Sequence, residues 1–361
     1  MVGVVCFGVG AGFYIAAAMY AASPAPPAVL GLRPSASDSI KELLPLIGKS
    51  LEKKEAVRVA AAPSVSGTST VFIAGDIMLG RDVAKLIKTN GADYPFAQTK
   101  GVIASADAAI ANLEGPLTDR NAAPNDNMRF HFDPGLGAAL AGAGFDAVSL
   151  ANNHGLDQGS DGRLDTKKNL DAAGIKYFGD PQAADGGAYF FNAGGRRFAV
   201  LGFQLVYGVP DVAGYAQAIA AAKKNADYVI VMPHWGVEYK HDADAAQKEL
   251  AHGFIDAGAD LVVGSHPHVV EGIESYKGKA IFYSLGNFVF DQYFSADTQN
   301  GLALRLNIDP QKQVSVELLP YEIPHSQAVF TAGDAKAKLL ENIAAWSSAD
   351  LKNEITAGLL K

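Results

Sequence analysis

Hydrophobic and polar positions divide this chain into an apolar leader, a Pro-rich stretch and a long alternating body. Residues 2–22, VGVVCFGVGAGFYIAAAMYAA, are almost wholly apolar, and no charged side chain precedes Arg33. About 20 apolar residues span a bilayer core as a helix, so residues 1–22 are expected to be a membrane anchor or signal segment. Signal peptides usually carry a basic n-region, and here only the amino terminus supplies charge, which favours the anchor. Ala16 and Ala18 offer a small-residue cleavage site under the other reading. Both place the body outside the cytoplasm, membrane-anchored or secreted. Residues 23–69, rich in Ala, Pro and Ser, read as a linker. Within it, the spacing of Ile40, Leu43, Leu44 and Ile47 predicts one short helix over 39–58.

From Thr70 onward, short apolar runs alternate with amphipathic ones. Strands are predicted at 70–75 (TVFIAG), 106–112, 145–151, 175–179, 226–233 and 259–265, as buried β-branched or apolar runs. Helices are predicted at 134–144, 160–174, 212–224 and 243–257. Residues 188–203 read as a hairpin turning at Gly194-Gly195, and the region after Val269 is mostly strand. The end from Gly333 is helical, so residues 326–361 are expected to form a helical tail on a body of 70–325. Alternating β and α segments imply an α/β fold: a largely parallel sheet covered by helices, with antiparallel strands added later. No internal repeat is present.

The 361 residues permit one large domain or two ordinary ones, and 49% apolar content supports a sizeable core. A net charge of −8 argues against nucleic acid as a partner, since that needs a basic surface. An anionic substrate would need a local source of positive charge, which a bound cation could supply. The single cysteine, Cys6, lies in the apolar leader, so the body holds no disulfide, Cys-based zinc site or thiol nucleophile. Any metal site there must use His and carboxylates.

Such residues recur just after the predicted strands. Asp76 follows 70–75, and Glu114 follows 106–112. Asn152, Asn153 and His154 follow 145–151, His234 follows 226–233, and His266 and His268 follow 259–265. In open α/β sheets ligands bind beyond the carboxyl ends of the strands. Each residue alone has a plainer explanation: Asp76 as a helix cap, Glu114 as a turn residue, the Asn pair as turn chemistry, His234 as a core histidine. Five successive strand ends each offering a metal-type ligand are not explained that way. GSHPH is the sharpest case, because residues two apart around a proline can turn both rings toward one centre. Trp235, Tyr239, Tyr283 and Tyr293 lie near these segments, where they line a groove or, more often, pack as core. The chain lacks G-x-S-x-G, the P-loop pattern and H-E-x-x-H, so serine-hydrolase, P-loop and zincin chemistry have no support.

The segments GDIMLGRDV (75–83), NLEGPLT (112–118), SLANNHGLDQG (149–159), MPHWGVEY (232–239), GSHPHVVEGIE (264–274) and FYSLGNFVFDQ (282–292) resemble, in order, the motifs of the CapA family of poly-γ-glutamate capsule biosynthesis proteins. The resemblance covers about residues 70–325. It implies a calcineurin-like metallophosphoesterase fold, with two packed mixed sheets flanked by helices and a metal site at the strand ends. Against the pattern D-x-H, G-D-x-x-D, G-N-H, lone His, G-H-x-H, Asp76 matches the first Asp and Glu114 stands where the bridging carboxylate belongs. Asn153 and His154 match the Asn-His pair, His234 the lone His, and His266 and His268 the final pair. Met78 stands where D-x-H has its His, and Glu replaces the bridging Asp.

The resemblance thus implies one or two divalent ions, of Mn, Zn or Fe, held by Asp76, Glu114, Asn153, His234, His266 and His268. His154 would donate a proton to the leaving group, and Arg81 would bind an anionic oxygen. The expected function is metal-dependent hydrolysis of a phosphoester or γ-glutamyl polymer outside the cytoplasm. The alternatives are a non-catalytic component that binds or helps export an anionic capsular polymer, and a phosphatase unrelated to capsule. A capsule synthase complex is a partner implied by the family only.

Overall fold

The computed structural model describes residues 67–121, 128–180, 187–208 and 211–361. The expected leader over 1–22, and all of the linker but its last three residues, lie outside the described residues. Fifteen strands are present among the described residues. In chain order they are β1 (Ser69–Ile77), β2 (Ala108–Leu113), β3 (Ala147–Ser149), β4 (Lys176–Phe178), β5 (Tyr189–Ala193), β6 (Arg196–Gln204), β7 (Tyr228–His234) and β8 (Leu261–Val263). There follow β9 (Ile273–Tyr276), β10 (Lys279–Phe282), β11 (Asn287–Val289), β12 (Asn300–Ile308), β13 (Val314–Glu322), β14 (Val329–Phe330) and β15 (Leu359–Leu360). The α-helices are α1 (Arg81–Asn90), α2 (Lys100–Ile103), α3 (Leu136–Ala143), α4 (Gly159–Ala173), α5 (Val212–Lys223), α6 (Ala245–Asp256), α7 (Gly333–Trp346) and α8 (Lys352–Ala357).

The strands build two sheets. One runs β14-β13-β12-β1-β2-β3-β4, with β11 added beside β1 and β15 beside β13; the other runs β5-β6-β7-β8-β10-β9. Both are mixed. β1 to β4 pair in parallel, as do β6, β7, β8 and β10, while β12, β13, β5 and β9 enter antiparallel. Two packed mixed sheets flanked by helices is the architecture that the family resemblance implied.

The period-2 pleat explains the layering. Val71 and Ile73 of β1 and Val200 and Ile230 of the facing sheet meet in one core between the sheets. The alternate residues Phe72 and Ala74 pack outward with residues of α1 and α3. On the other side Leu201, Val229 and Val231 pack outward with residues of α5 and α6. Strands buried on both faces read as continuous apolar runs, which is why they were legible.

Two predicted strands are shorter than expected. The run at 145–151 is strand only over Ala147–Ser149, and 259–265 only over Leu261–Val263. In each case the chain leaves the ladder to carry the following polar residues across the sheet ends. Residues 326–361 contribute β14 and β15, both paired with β13, as well as α7 and α8. Leu340, Ile343, Ile355 and Leu360 enter the inter-sheet core, so this segment is part of the same body as 70–325.

Candidate metal centre

The C-terminal ends of β1, β2 and β3 in one sheet and of β7 and β8 in the other open onto a common floor. Asp76 lies near the end of β1 and is fully buried. Gly75 permits this placement: a Cβ there would stand 2.0 Å from the carbonyl oxygen of Gly286. Asp76 Oδ1 accepts from the Asn112 amide at 2.7 Å, and Oδ2 accepts from the His266 backbone N–H at 3.2 Å. Burial lifts its carboxyl to about 6, against the lowering effect of these hydrogen bonds. Glu114, directly after β2, is also fully buried, and neither of its oxygens has a hydrogen-bond partner. Burial first, and then the charge of Asp76, holds it well above the usual carboxylate range.

His268 connects the two acids. Its Nδ1 lies 2.9 Å from Asn287 Oδ1 and 3.7 Å from Asp76 Oδ2, and its Nε2 lies 3.8 Å from Glu114 Oε1. The Asn287 amide group donates to Thr298 O and Gln292 Oε1, so its oxygen is the acceptor facing His268. Nδ1 therefore carries the proton, and Nε2 keeps a lone pair toward Glu114. A hydrogen bond on the remote ring nitrogen is how ligand histidines are oriented.

A second pairing spans the sheets. His234 Nε2 is 2.8 Å from Asn153 Oδ1, and His234 Nδ1 is 2.8 Å from Ser265 Oγ. The neighbouring Asn152 has a different task. Its amide donates to Asn112 Oδ1 and Leu113 O, and its oxygen accepts from the His154 backbone N–H, which shapes the loop. His266 is buried, its ring centroid is 4.9 Å from that of His234, and its Nδ1 has no partner. Burial keeps all three imidazoles neutral: His234 well below the ordinary value, His266 at about 4 and His268 at about 3. Neutral imidazole is the ligating form.

His154 stands at the edge of this group. Its Nε2 is 3.9 Å from Glu114 Oε1, its Nδ1 is 2.7 Å from Asp157 Oδ2, and its ring stacks on Phe130 with centroids 4.0 Å apart. Arg81 lines the same cleft, with its guanidinium over the rings of Phe130 and Phe290 and paired through two nitrogens with Asp291. That pairing neutralises the cation expected to meet an anionic oxygen. The cleft, about 580 Å³, is also lined by Lys85, Glu238, Tyr239 and Phe294. Trp235 and Tyr283 are core: the indole N–H donates to the Tyr283 carbonyl at 2.9 Å. Tyr293 is partly exposed and bonded to Ser326.

Among the described residues, two sets of three His or acid donor atoms lie within 4.8 Å of one another: Asp76, Glu114 and His268, and Glu238, His266 and His268. His234 with Asn153 forms a third corner, joined to the first through the Asn112 amide, 3.4 Å from His234 Nδ1. Sequence reasoning did not assign Glu238, Asp157, Asn112 or Asn287. All four lie inside the quoted motifs, but none directly follows a strand as a His or acid in the family pattern. Met78 is buried in the outer apolar layer, where its sulfur accepts from the Gly80 N–H at 3.1 Å. Four residues around the cleft have left-handed backbones that non-glycine residues rarely adopt: Arg81 (φ 50°), Tyr239 (φ 63°), His266 (φ 99°) and His268 (φ 60°). Strain of this kind persists where the surroundings over-determine it, often at functional sites.

The donor set fits a divalent cation. Two fully buried carboxylates share one pocket with neutral imidazoles, and Glu114 leaves both oxygens unpaired. Burial holds these acids toward their protonated forms, and a bound cation would stabilise the ionised forms instead. Carboxylate, imidazole and amide oxygen suit Mn, Fe or Zn.

Residues 70–292 match the family described as bacterial capsule synthesis protein PGA_cap. The chain is 35% identical to the "PGA biosynthesis protein CapA" of Bacillus subtilis (strain 168) over 69% of this chain and 70% of that protein. It is 32% identical to the "Capsule biosynthesis protein CapA" of Bacillus anthracis over 79% of this chain and 77% of that one. Among solved structures, a hypothetical protein from Thermus thermophilus aligns over 71% of this chain and 100% of its own, at 18% identity and a TM-score of 0.46. The ordered motifs that supply Asp76, Glu114, Asn153, His234 and the His266–His268 pair all fall inside the matched span, and the chain belongs to the PGA_cap, or CapA, family of bacterial capsule synthesis proteins.

Proposed function

We propose that this protein serves capsular poly-γ-glutamate biosynthesis as a metal-dependent hydrolase acting outside the cytoplasm, on a phosphoester or a γ-glutamyl polymer. The observation that carries the reading is Glu114, a fully buried carboxylate with no hydrogen-bond partner, set within 4 Å of His154 and His268. Asp76, Glu114 and His268 would hold one ion, with Asn153, His234 and His266 available to a second. A divalent ion in such a site supplies Lewis acidity toward a phosphoryl or carbonyl oxygen and makes water more acidic.

The chain's own groups do the rest. Asp157 accepts at His154 Nδ1, which fixes the ring and leaves Nε2 facing the cleft for proton transfer to a leaving group. Phe130, stacked on His154, limits ring rotation and shields one face from water. Lys85 and Arg81 line the cleft mouth, where they would meet an anionic substrate, with Arg81 first having to share itself with Asp291.

The second reading, a non-catalytic component that binds or helps export an anionic polymer, is favoured by Met78, which removes an imidazole from the family pattern. The anchor expected over 1–22 suits both readings, as would docking to a membrane-bound capsule synthase. Full-length protein in detergent, loaded with Mn, Zn or Fe(II), should be offered phosphoesters and poly-γ-glutamate beside His266→Ala. Metal-dependent turnover lost in the variant supports the hydrolase. Absence of turnover with intact polymer binding would move the assignment to the binding component.

A further inference from the structure

The two donor sets at the floor of the cleft share His268, and only one of its nitrogens is free to bind a cation. Nδ1 donates to Asn287, whose amide orientation is fixed by its own bonds to Thr298 and Gln292. The Nε2 lone pair therefore serves one ion. Asp76 and Glu114 approach from the β1 and β2 ends, and Glu238 approaches from the cleft side. Met78, at the position of the missing imidazole, is turned into the apolar layer with its sulfur on the Gly80 N–H.

The local backbone holds Glu238 there. Gly236 turns with φ 87° directly after the buried Trp235, against the Gln247 side chain, where a Cβ would meet Nε2 at 2.6 Å. The chain then returns to the His-Pro-His loop, and the Tyr239 N–H donates to the Pro267 carbonyl at 2.8 Å. Tyr239, itself left-handed, lays its ring near that of His268, with centroids 6.1 Å apart. Glu238 is thus fixed beside His266 and His268 by one residue on either side. The unpartnered, fully buried oxygens of Glu114, with Oε1 3.8 Å from His268 Nε2, point independently to a cation at this imidazole.

We propose that Glu238 is a metal ligand that, with His266 and His268, makes good the imidazole lost at Met78. This rests on the reading of the cleft as a metal centre. Exchanging an imidazole for a carboxylate hardens the site and raises its negative charge. Selectivity should move toward Mn and Fe(II) and away from Zn, because oxygen donors suit the harder ions.

The test is cation binding, read without turnover. Full-length metal-free protein, wild type and Glu238→Gln, Glu341→Gln and His268→Ala variants, would be titrated with Mn, followed by the paramagnetic signal of free Mn, and with Zn by calorimetry. Glu341, on the exposed face of α7, controls for the loss of one negative charge. The expected result is a Mn affinity at least about tenfold weaker in Glu238→Gln, with Zn affected less, Glu341→Gln unchanged, and metal-free melting unchanged in both. Mn affinity in Glu238→Gln equal to wild type, with His268→Ala losing the ion, would overturn the role of Glu238 and leave the metal centre standing. Failure of the wild type to bind any ion would overturn both.

Discussion

His234 Nε2 stands 2.8 Å from Asn153 Oδ1, although His234 ends a strand of one sheet and Asn153 follows a strand of the other. That is a hydrogen-bond distance made directly across the two sheets. The floor of the cleft is therefore built across the seam between the sheets, and the inter-sheet core sets its dimensions.

Glu114→Gln should act in opposite directions with and without metal. The variant removes a buried, unpartnered acid, so the metal-free protein should melt at an unchanged or higher temperature, by roughly 2–4 °C per kcal/mol gained. If the cleft holds Mn, the rise in melting temperature expected of the Mn-loaded wild type should be absent from the variant. Thermal melts with chelator and with Mn decide this. A metal-free variant that melts well below wild type would contradict the account of Glu114.

Metal stabilisation should vanish in mild acid. Asp76 keeps its proton up to about pH 6, and Glu114 beyond its usual range, so a cation must displace protons to bind. The difference in melting temperature between Mn-loaded and chelated protein should shrink from pH 7.5 to pH 5. The metal-free background should move less, because its groups oppose one another. Acids raised in the folded state reduce stability as pH rises past their unfolded values, while His266 and His268, lowered to about 4 and about 3, add stability as pH rises toward 6.5.

His154→Asn and Asp157→Asn should separate proton transfer from metal holding. If His154 transfers the proton, its loss should lower kcat by about 10²–10⁴, while bound metal per chain stays at the wild-type level. Asp157→Asn should give a smaller fall, since it orients the ring through Nδ1. Metal content by elemental analysis beside steady-state rates distinguishes these outcomes. Loss of metal in either variant would reassign the residue to the ion.

Glu271, outside the cleft, should govern part of the alkaline stability. It is buried, accepts one bond from Gln247 and leaves Oε1 unpartnered, and burial raises its carboxyl to about 8. The unfolded chain releases this proton near 4.5, while the folded chain keeps it to about 8. Stability is therefore lost as pH rises across that interval. Glu271→Gln should be more stable than wild type at pH 8.5, by on the order of 1–3 kcal/mol, with the advantage fading toward pH 5. Denaturant titrations at the two pH values test it.

The alternation of buried strands and helices was readable from residue order, because strands covered on both faces, such as β1 and β7, must be largely apolar along their length. The order of metal-type residues at the strand ends was readable too, since a chain that leaves a buried strand toward a crevice changes abruptly from apolar to polar. Asp76, Glu114, His234, His266 and His268 were legible for that reason. Which of them meet depends on long-range packing. Nothing local records that the ends of β1 and β2 face the ends of β7 and β8, because periodicity describes one strand's faces and not its neighbours. Arg81 carries its charge in the sequence, but only packing pairs it with Asp291, 210 residues away. Nothing in the sequence singles out Glu238; packing, with the Tyr239 N–H on the Pro267 carbonyl, sets it beside His266 and His268. Long-range contacts of this kind depend on how the two sheets dock.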